Sequence, residues 1–107
     1  MLEDIRRQPE TWARLLERGA ELRAFGAALA PDGGGTVHVV GCGDGWFAAR
    51  ALALPAARGL GLPYLGVSAL ECLLYHAPRM TAADRVMAVS MSGDVDRTIE
   101  AWEAIAA

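Results

Sequence analysis

The segment Thr36-Val37-His38-Val39-Val40-Gly41-Cys42-Gly43-Asp44-Gly45 decides the fold. Residues 36–40 are mostly β-branched, as in a buried strand, and three glycines follow within five positions. From Trp46 onward, apolar residues recur at helical spacing. A strand, a glycine turn and a helix in this order predict an α/β domain with a parallel sheet.

Two further apolar runs, residues 63–67 and 85–90, also predict strands. Three apolar strands alternating with helices predict a partial doubly wound parallel sheet that is covered on both faces. The remaining helices are predicted at residues 46–60 with a kink or restart at Pro55, at residues 68–75 with Ser68 as cap and Pro78 as end, and from about Asp94 onward.

The first third of the chain predicts a long amphipathic helix. Pro9 suits the first turn of a helix, so residues 2–8 are expected to form a separate short turn packed at an angle. Residues 31–35, Pro-Asp-Gly-Gly-Gly, are expected to end the helix. Its apolar residues recur at three- and four-residue steps, at Ile5, Trp12, Leu15, Leu16, Leu22, Phe25 and Leu29.

The composition is that of a foldable domain without a broad basic surface. Of 107 residues, 53% are hydrophobic, none is Lys and the net charge is −3, so nucleic acid is not expected as a partner. No apolar run approaches the ~18 residues of a membrane span, so none is expected. The acidic N-terminus does not resemble a signal peptide, so Cys42 and Cys72 are expected to be free thiols in the cytoplasm.

The number of predicted strands is low for this kind of fold. A doubly wound sheet usually has about five or six strands, whereas three are predicted here. We therefore expect residues 1–107 to form a single domain that is incomplete at its C-terminus. It divides into a helical segment, residues 1–31, and a βαβαβα part, residues 36–107.

Two unusual loops follow strands at the edge where open parallel sheets bind ligands. The first loop, residues 41–45, offers positive φ angles, close backbone approach and a helix N-terminus suited to an anion. The second loop, residues 90–93, offers two serine hydroxyls and the N–H groups of residues 92–94. Alternatively, the first loop binds nothing, and Ser92 or Asp94 only caps the next helix. Together the loops predict a shared anion site, with the candidate residues Gly43, Asp44, Gly45, Ser90, Met91 and Ser92.

Two families that bind nucleotide cofactors compete for the first loop. A dinucleotide-binding turn requires Gly-x-Gly-x-x-Gly, but Trp46 stands at the last glycine, and strand two ends in Val67-Ser68 instead of an acid. Residues 41–45 also resemble the glycine motif of S-adenosylmethionine-dependent methyltransferases. That family has an acid two residues before the motif, where Val39 stands, and an acid closing strand two, for which Glu71 is the nearest.

Four landmarks in order along nearly the whole chain match a third family. They are Asp4-Ile5-Arg6-Arg7-Gln8-Pro9, the first loop, Ser68 with Glu71 and Tyr75, and Ser90, Ser92, Gly93, Asp94 and Thr98. In this order they resemble sugar isomerase (SIS) domains, such as the isomerase domain of glucosamine-6-phosphate synthase. The family motifs are Glu-Ile-x-x-Gln-Pro, Gly-x-Gly-[Thr/Asp]-Ser, Ser-Glu-Phe-x-Tyr and Ser-x-Ser-Gly-[Glu/Asp]-x-x-x-Thr.

The resemblance implies a strand order of 2-1-3, a phosphorylated sugar as ligand, and Ser90 and Ser92 as phosphate ligands. It also implies a dimer with sugar sites near the subunit interface. The chain departs from the family at Gly45, where a serine contacts phosphate, at Met91, where glutamine is common, and at Val95, where threonine often stands. The catalytic Glu, His and Lys of isomerase members lie beyond the matched segment, and this chain has no Lys.

Two further groupings of reactive side chains stand out. His38-x-x-x-Cys42 and Cys72-x-x-x-His76 invite a zinc interpretation, but neither spacing is usual for a structural zinc pair, so no metal is expected. Asp44 and Glu71 follow strand ends and are candidates for a catalytic carboxylate pair. The alternative for Asp44 is a hydrogen bond within its own turn.

The sequence thus predicts a protein that binds a phosphorylated sugar as part of an SIS-type isomerase, deaminase or regulator. Whether it is an enzyme stays open, no cofactor is expected, and the catalytic residues are expected outside this chain. A methyltransferase fragment and a non-catalytic dimerisation module remain alternatives. Association with a second copy or a longer SIS partner is expected through the first helix, the outer edge of strand three, or both.

Overall fold

The molecule is built on a sheet of parallel strands. The computed structural model describes residues 1–30, 33–61 and 63–107, and within them three strands form one sheet in the order β2-β1-β3. The strands are β1 (Val37–Gly41), β2 (Tyr64–Ser68) and β3 (Arg85–Val89). Helices flank the sheet, which confirms the predicted fold class and strand order, and each strand lies within one residue of its predicted bounds.

Six α-helices accompany the sheet in the described part of the chain. They are α1 (Leu2–Glu17), α2 (Gly19–Leu29), α3 (Asp44–Ala51), α4 (Ala53–Leu60), α5 (Ala69–Glu71) and α6 (Asp96–Ala106). A π-helical turn, Cys72–His76, and a 3-10 turn, Ala77–Arg79, continue α5. Pro31 and Asp32, predicted to end the first helical segment, lie outside the described residues; α2 ends at Leu29.

The central strand β1 divides two small cores. It is buried at every position because it pairs on both sides and is covered on both faces. Val37 and Val39 pack with Ala49 of α3 on one face, and Val40 packs with Cys72 and Ala101 on the other. A fully buried valine contributes about 1.5–3 kcal/mol. The fully buried apolar residues of the described chain are Val, Ala and Cys. Larger apolar side chains such as Leu73, Met80 and Ile105 are only partly buried, and many others are exposed at the surface.

The tryptophans show where that apolar surface lies. All three stand on apolar helix faces, which predicts core or interface positions. Trp12 and Trp102 are 62% and 50% exposed, so neither belongs to the core of this chain. Trp46 is half-buried and contacts Phe47, with the Arg50 guanidinium 5.7 Å from its ring centroid. Trp12 and Trp102 therefore remain candidates for an interface.

The prediction of a break at Pro9 is wrong. Helix α1 runs without interruption through Pro9 and ends at Glu17, before Arg18 and Gly19. Proline removes one backbone donor, but on this exposed helix water can reach the carbonyl of Ile5 that loses its partner. Ion pairs between residues four apart, Glu3 with Arg7 and Glu10 with Arg14, span the turns on either side of the proline.

The predicted restart near Pro55 and cap at Ser68 are confirmed. The helix breaks at Leu52 and resumes at Ala53, which puts Pro55 in the first turn of α4, where a missing N–H costs little. The Ser68 hydroxyl accepts a hydrogen bond from the Glu71 N–H at 3.1 Å and caps α5. Helix α3 begins at Asp44, two residues before its predicted start, and α6 begins at Asp96, two residues after.

A carboxylate joins β1 and β3 at the end of the sheet opposite the two loops. Asp84 accepts hydrogen bonds from the Thr36 N–H and the Thr81 N–H, each at 2.8 Å, and these bonds lower the pKa of its carboxyl. Its Oδ1 lies 4.0 Å from Nε2 of His38, a buried residue of β1. Within the described chain the buried Nδ1 of His38 has no hydrogen-bond partner, and the His76 ring lies 5.8 Å from the His38 ring, centroid to centroid.

The burial of His38 predicts a loss of stability in mild acid. Burial lowers the pKa of the imidazole below its usual 6.5, against a smaller opposing effect of Asp84, while His76 lowers it further. The unfolded chain therefore takes up a proton first, so the free energy of unfolding should fall as the pH drops below 6.5 and level off below the folded pKa. Urea unfolding at a series of pH values measures this decline.

The variant His38→Gln, which cannot titrate, provides the comparison. It should lose much of this pH dependence but keep the separate loss of stability in strong acid. That second loss begins as the pH drops below 3.8, the usual pKa of an aspartate, because the folded pKa of Asp84 is lower still. An unchanged slope in mild acid for His38→Gln would contradict the assignment to His38.

Candidate functional site

The first and second loops meet in a cleft at the carboxyl edge of β1 and β3. The cleft has a volume of about 150 Å³. It brings together five of the six residues proposed from the sequence, since Gly43 lies in the first loop just outside the lining. The lining residues are Cys42, Asp44, Gly45, Val89, Ser90, Met91, Ser92, Val95 and Thr98.

The first loop turns tightly into α3. Gly43 is the N-cap residue of α3 and has φ 50° and ψ −123°, a conformation that favours glycine. The Gly45 N–H donates to the Cys42 carbonyl at 3.0 Å and closes the turn. The first turn of a helix carries N–H groups without intrahelical partners, and here it borders the cleft.

Gly45 has a structural reason to be glycine. A Cβ atom at this position would lie 2.8 Å from the carbonyl oxygen of Val89 in β3, closer than real Cβ atoms approach. A serine, which the SIS resemblance expects here, would force α3 away from the sheet. The departure from the motif therefore follows from the close packing of α3 against β3.

The second loop is held by its own serines. The Ser90 hydroxyl oxygen accepts from the Gly93 N–H at 2.9 Å, and the Ser92 hydroxyl oxygen accepts from the Asp94 N–H at 3.5 Å. Two of the three backbone donors expected for an anion are therefore already in use, which corrects the predicted cradle. Both hydroxyl hydrogens remain able to donate to a ligand.

The structure does not support the alternative in which Ser92 or Asp94 only caps the next helix. Helix α6 begins at Asp96, its N-cap residue is Val95, and no side chain caps it. Ser92 and Asp94 therefore do not act as the cap. Met91 is 99% exposed, so its side chain projects from the loop rather than packing behind it.

The cleft has a hydroxyl-rich wall and one carboxylate. Ser90, Ser92 and Thr98 line it, and within the described residues no Arg or His does. Asp44, at the start of α3, is favoured there by the helix dipole. The alternative role for Asp44 is a hydrogen bond within its own turn. The structure does not show this bond: the Asp44 carboxylate has no hydrogen-bond partner in the described chain.

The sequence missed part of the lining. Thr98 donates from Oγ1 to Sγ of Cys42 at 3.5 Å and so ties α6 to the first loop. Thr98 ends the serine motif and Cys42 stands within the glycine loop. These motif positions could have indicated that both residues line the cleft. Val89 and Val95 complete the lining. Only their positions beside the second loop could have indicated this from the sequence.

The other predicted groupings do not form in this cleft. Glu71 does not line it; its Oε1 lies 3.9 Å from Nε2 of His76, so Asp44 and Glu71 are not paired across it. In residues 1–30, 33–61 and 63–107 no group of three or more His, Cys, Asp or Glu side chains could hold a metal ion. Both cysteines are free thiols, as predicted, and burial together with Glu71 raises the pKa of the Cys72 thiol.

Comparisons with protein-family models, with curated proteins and with solved structures find no match for this chain. Among the helices of the described residues, none combines the length and the apolar character needed to cross a membrane.

The contact between Gly45 and Val89 predicts that a methyl group is not tolerated there. Gly45→Ala should lower the free energy of unfolding by about 1–3 kcal/mol, since the new Cβ overpacks the interface of α3 with β3. Gly26→Ala is the matched control, because nothing lies within 4 Å of a Cβ at that helical position. It should stabilise by about 0.5–1 kcal/mol through its better helix propensity. Urea unfolding of both variants tests the contrast, and equal effects would refute it.

Proposed function

We propose that the cleft binds the phosphate group of a phosphorylated sugar or sugar derivative. One observation supports this most: two loops that follow adjacent parallel strands meet in a cleft that Ser90 and Ser92 line. Hydroxyl donors and a helix N-terminus at this edge of a sheet suit phosphate oxygens. The motif resemblance to SIS domains points to the same ligand and the same two serines.

The size of the cleft indicates which part of the ligand it holds. Pockets that enclose a drug-sized ligand have about 300–1,000 Å³. At about 150 Å³ the cleft suits a phosphate group rather than a whole sugar phosphate. The sugar would then extend outward past Met91, toward solvent.

The polar groups of the cleft would contact different parts of the ligand. Ser90 and Ser92 donate hydrogen bonds to phosphate, and the first turn of α3 adds backbone donors and its dipole. Asp44 repels phosphate but can accept hydrogen bonds from sugar hydroxyls. With no cationic side chain at the cleft in the described chain, affinity for phosphate alone should be modest.

The cleft supports a binding role more than a catalytic one. Its titratable lining residues are Asp44 and Cys42, and Glu71 lies elsewhere beside His76. We propose that any isomerase or deaminase chemistry needs residues from outside this chain, as in an SIS-type enzyme or regulator. The methyltransferase alternative would need an acid at the end of β2. Glu71 is the nearest acid and does not line the cleft, so the cleft does not favour this alternative.

A sugar 6-phosphate should stabilise the protein, whereas its unphosphorylated parent should not. Fructose 6-phosphate and glucose 6-phosphate are the probes, with fructose and glucose as controls, in a thermal unfolding assay. Ligand at ~100 times its dissociation constant adds about 2.7 kcal/mol. Ser90→Ala and Ser92→Ala should reduce the shift, whereas Ser68→Ala, which removes a helix cap away from the cleft, should leave it unchanged. A shift with S-adenosylmethionine and none with sugar phosphates would overturn the proposal.

The like charge of Asp44 makes a second, independent prediction. Asp44→Asn should tighten the binding of inorganic phosphate severalfold, since a like charge ~4 Å away costs about 1 kcal/mol in a water-like medium. The gain should be smaller for a sugar phosphate, because the variant also loses an acceptor for sugar hydroxyls. Isothermal titration calorimetry with both probes, at low and high salt, measures the two effects. Weaker binding of inorganic phosphate by Asp44→Asn would contradict this placement of the anion.

A further inference from the structure

A buried histidine of the central strand has one ring nitrogen without a partner. Side chains alternate along β1, so His38 shares with Val40 the face that packs against Cys72 and Ala101. His38 is 7% exposed, and its buried Nδ1 makes no hydrogen bond within the described chain. Few buried polar atoms of folded proteins lack a partner, so this one needs a physical explanation.

The surroundings of His38 suit the neutral ring and oppose the charged ring. Nε2 lies 4.0 Å from Oδ1 of Asp84, which favours the neutral form that carries its hydrogen on Nε2. Protonation would place a second hydrogen on Nδ1, where the described chain offers no acceptor, and would bury a positive charge. Asp84 is not free to turn toward the ring, because it accepts from the N–H groups of Thr36 and Thr81.

Two charged groups act on His38 from the elements packed around it. They are Asp84, in the turn before β3, and His76, in the π-helical turn. Burial lowers the pKa of the His38 imidazole by more than Asp84 raises it, and His76 lowers it further. At 4.0 Å the carboxylate of Asp84 is too distant for a hydrogen bond to Nε2. The neighbours from the other elements are apolar: Leu65 of β2, Val86 of β3 and Ala101 of α6.

The π-helical turn Cys72–His76 is the neighbour of His38 that can move most easily. Strand β1 is held by parallel partners on both sides, whereas the turn borders water, since the His76 side chain is 27% exposed. The His76 ring lies 5.8 Å from the His38 ring, centroid to centroid, so two positive charges here would repel each other. Behind it, Oε1 of Glu71 lies 3.9 Å from Nε2 of His76. Single π-helical turns are rare and occur mostly at functional sites.

We propose that the π-helical turn is an acid-sensitive cover over His38, which opens locally when His38 takes up a proton. Opening lets water reach the new hydrogen on Nδ1 and separates the two imidazoles, while the three strands remain paired. The inference therefore goes beyond a general loss of stability in mild acid, because it names the segment that yields first. Neither histidine lines the cleft, so the inference is independent of the proposed ligand.

Hydrogen exchange of the whole chain between about pH 7.5 and about pH 5 tests the proposal. Protection factors are compared, since they remove the pH dependence of the intrinsic exchange rate. Protection of the turn should fall by up to about tenfold per pH unit below 6.5, because opening takes up one proton, and low concentrations of urea should not change it. The amides of β1 should keep higher protection and exchange through urea-dependent global unfolding. A turn that does not respond to mild acid, or that exchanges only together with β1, would overturn the proposal.

Two variants separate the roles of the histidines. His38→Gln keeps a polar side chain that does not titrate, so the turn should lose its response to acid. His76→Gln keeps His38 but removes one group that lowers its pKa, so the response should level off at a higher pH and the total loss of protection should be smaller. Helix α1 contains no histidine and is the internal control. A wild-type response in His38→Gln, or a loss in His76→Gln as large as in the wild type, would refute the assignment.

Discussion

The close approach of α3 to the sheet is the constraint on which the rest of this structure depends. A Cβ at Gly45 would lie 2.8 Å from the Val89 carbonyl oxygen, and a Cβ at Gly66 would lie 2.8 Å from the Ala49 carbonyl. The helix therefore contacts β3 and β2 through backbone, while Ala49 fills the space above β1. Tyr64 of β2 adds a hydrogen bond from its hydroxyl to the Ala49 carbonyl at 2.8 Å, and its burial raises the pKa of that hydroxyl.

This approach also determines where a ligand could bind. Because α3 lies against β3, the first turn of α3 stands directly beside the second loop, and the two loops share one cleft. The bond from Thr98 to Cys42 brings the start of α6 to the same place. The same approach excludes a side chain at position 45, so this side of the cleft can offer a ligand only the backbone groups of Gly45.

The two ends of the sheet differ in structure: one end has a cleft, and the other has hydrogen bonds that join its strands. The carboxyl end holds a cleft whose hydroxyls and carboxylate are partly free to contact a ligand. At the opposite end, Asp84 joins the starts of β1 and β3 by hydrogen bonds to Thr36 and Thr81, and His38 is buried beside it. That end therefore supports the sheet. Because the core consists of small side chains, Trp12 and Trp102 remain available for contacts outside the chain.

The sequence by itself determined the sheet and the location of the candidate site. Apolar and β-branched runs, helical spacing, the glycine loop after β1 and the serine loop after β3 are local features, and parallel strands bring such loops to one edge. The strand order, which the SIS resemblance implied, agrees with the structure, and five of the six candidate residues line the cleft where the two loops meet. Only the tertiary structure decided which apolar faces are covered, that Glu71 faces His76, and that serine oxygens use two loop donors. These outcomes depend on distances between residues far apart in the chain or on side-chain orientation, and a pattern of residue types contains neither.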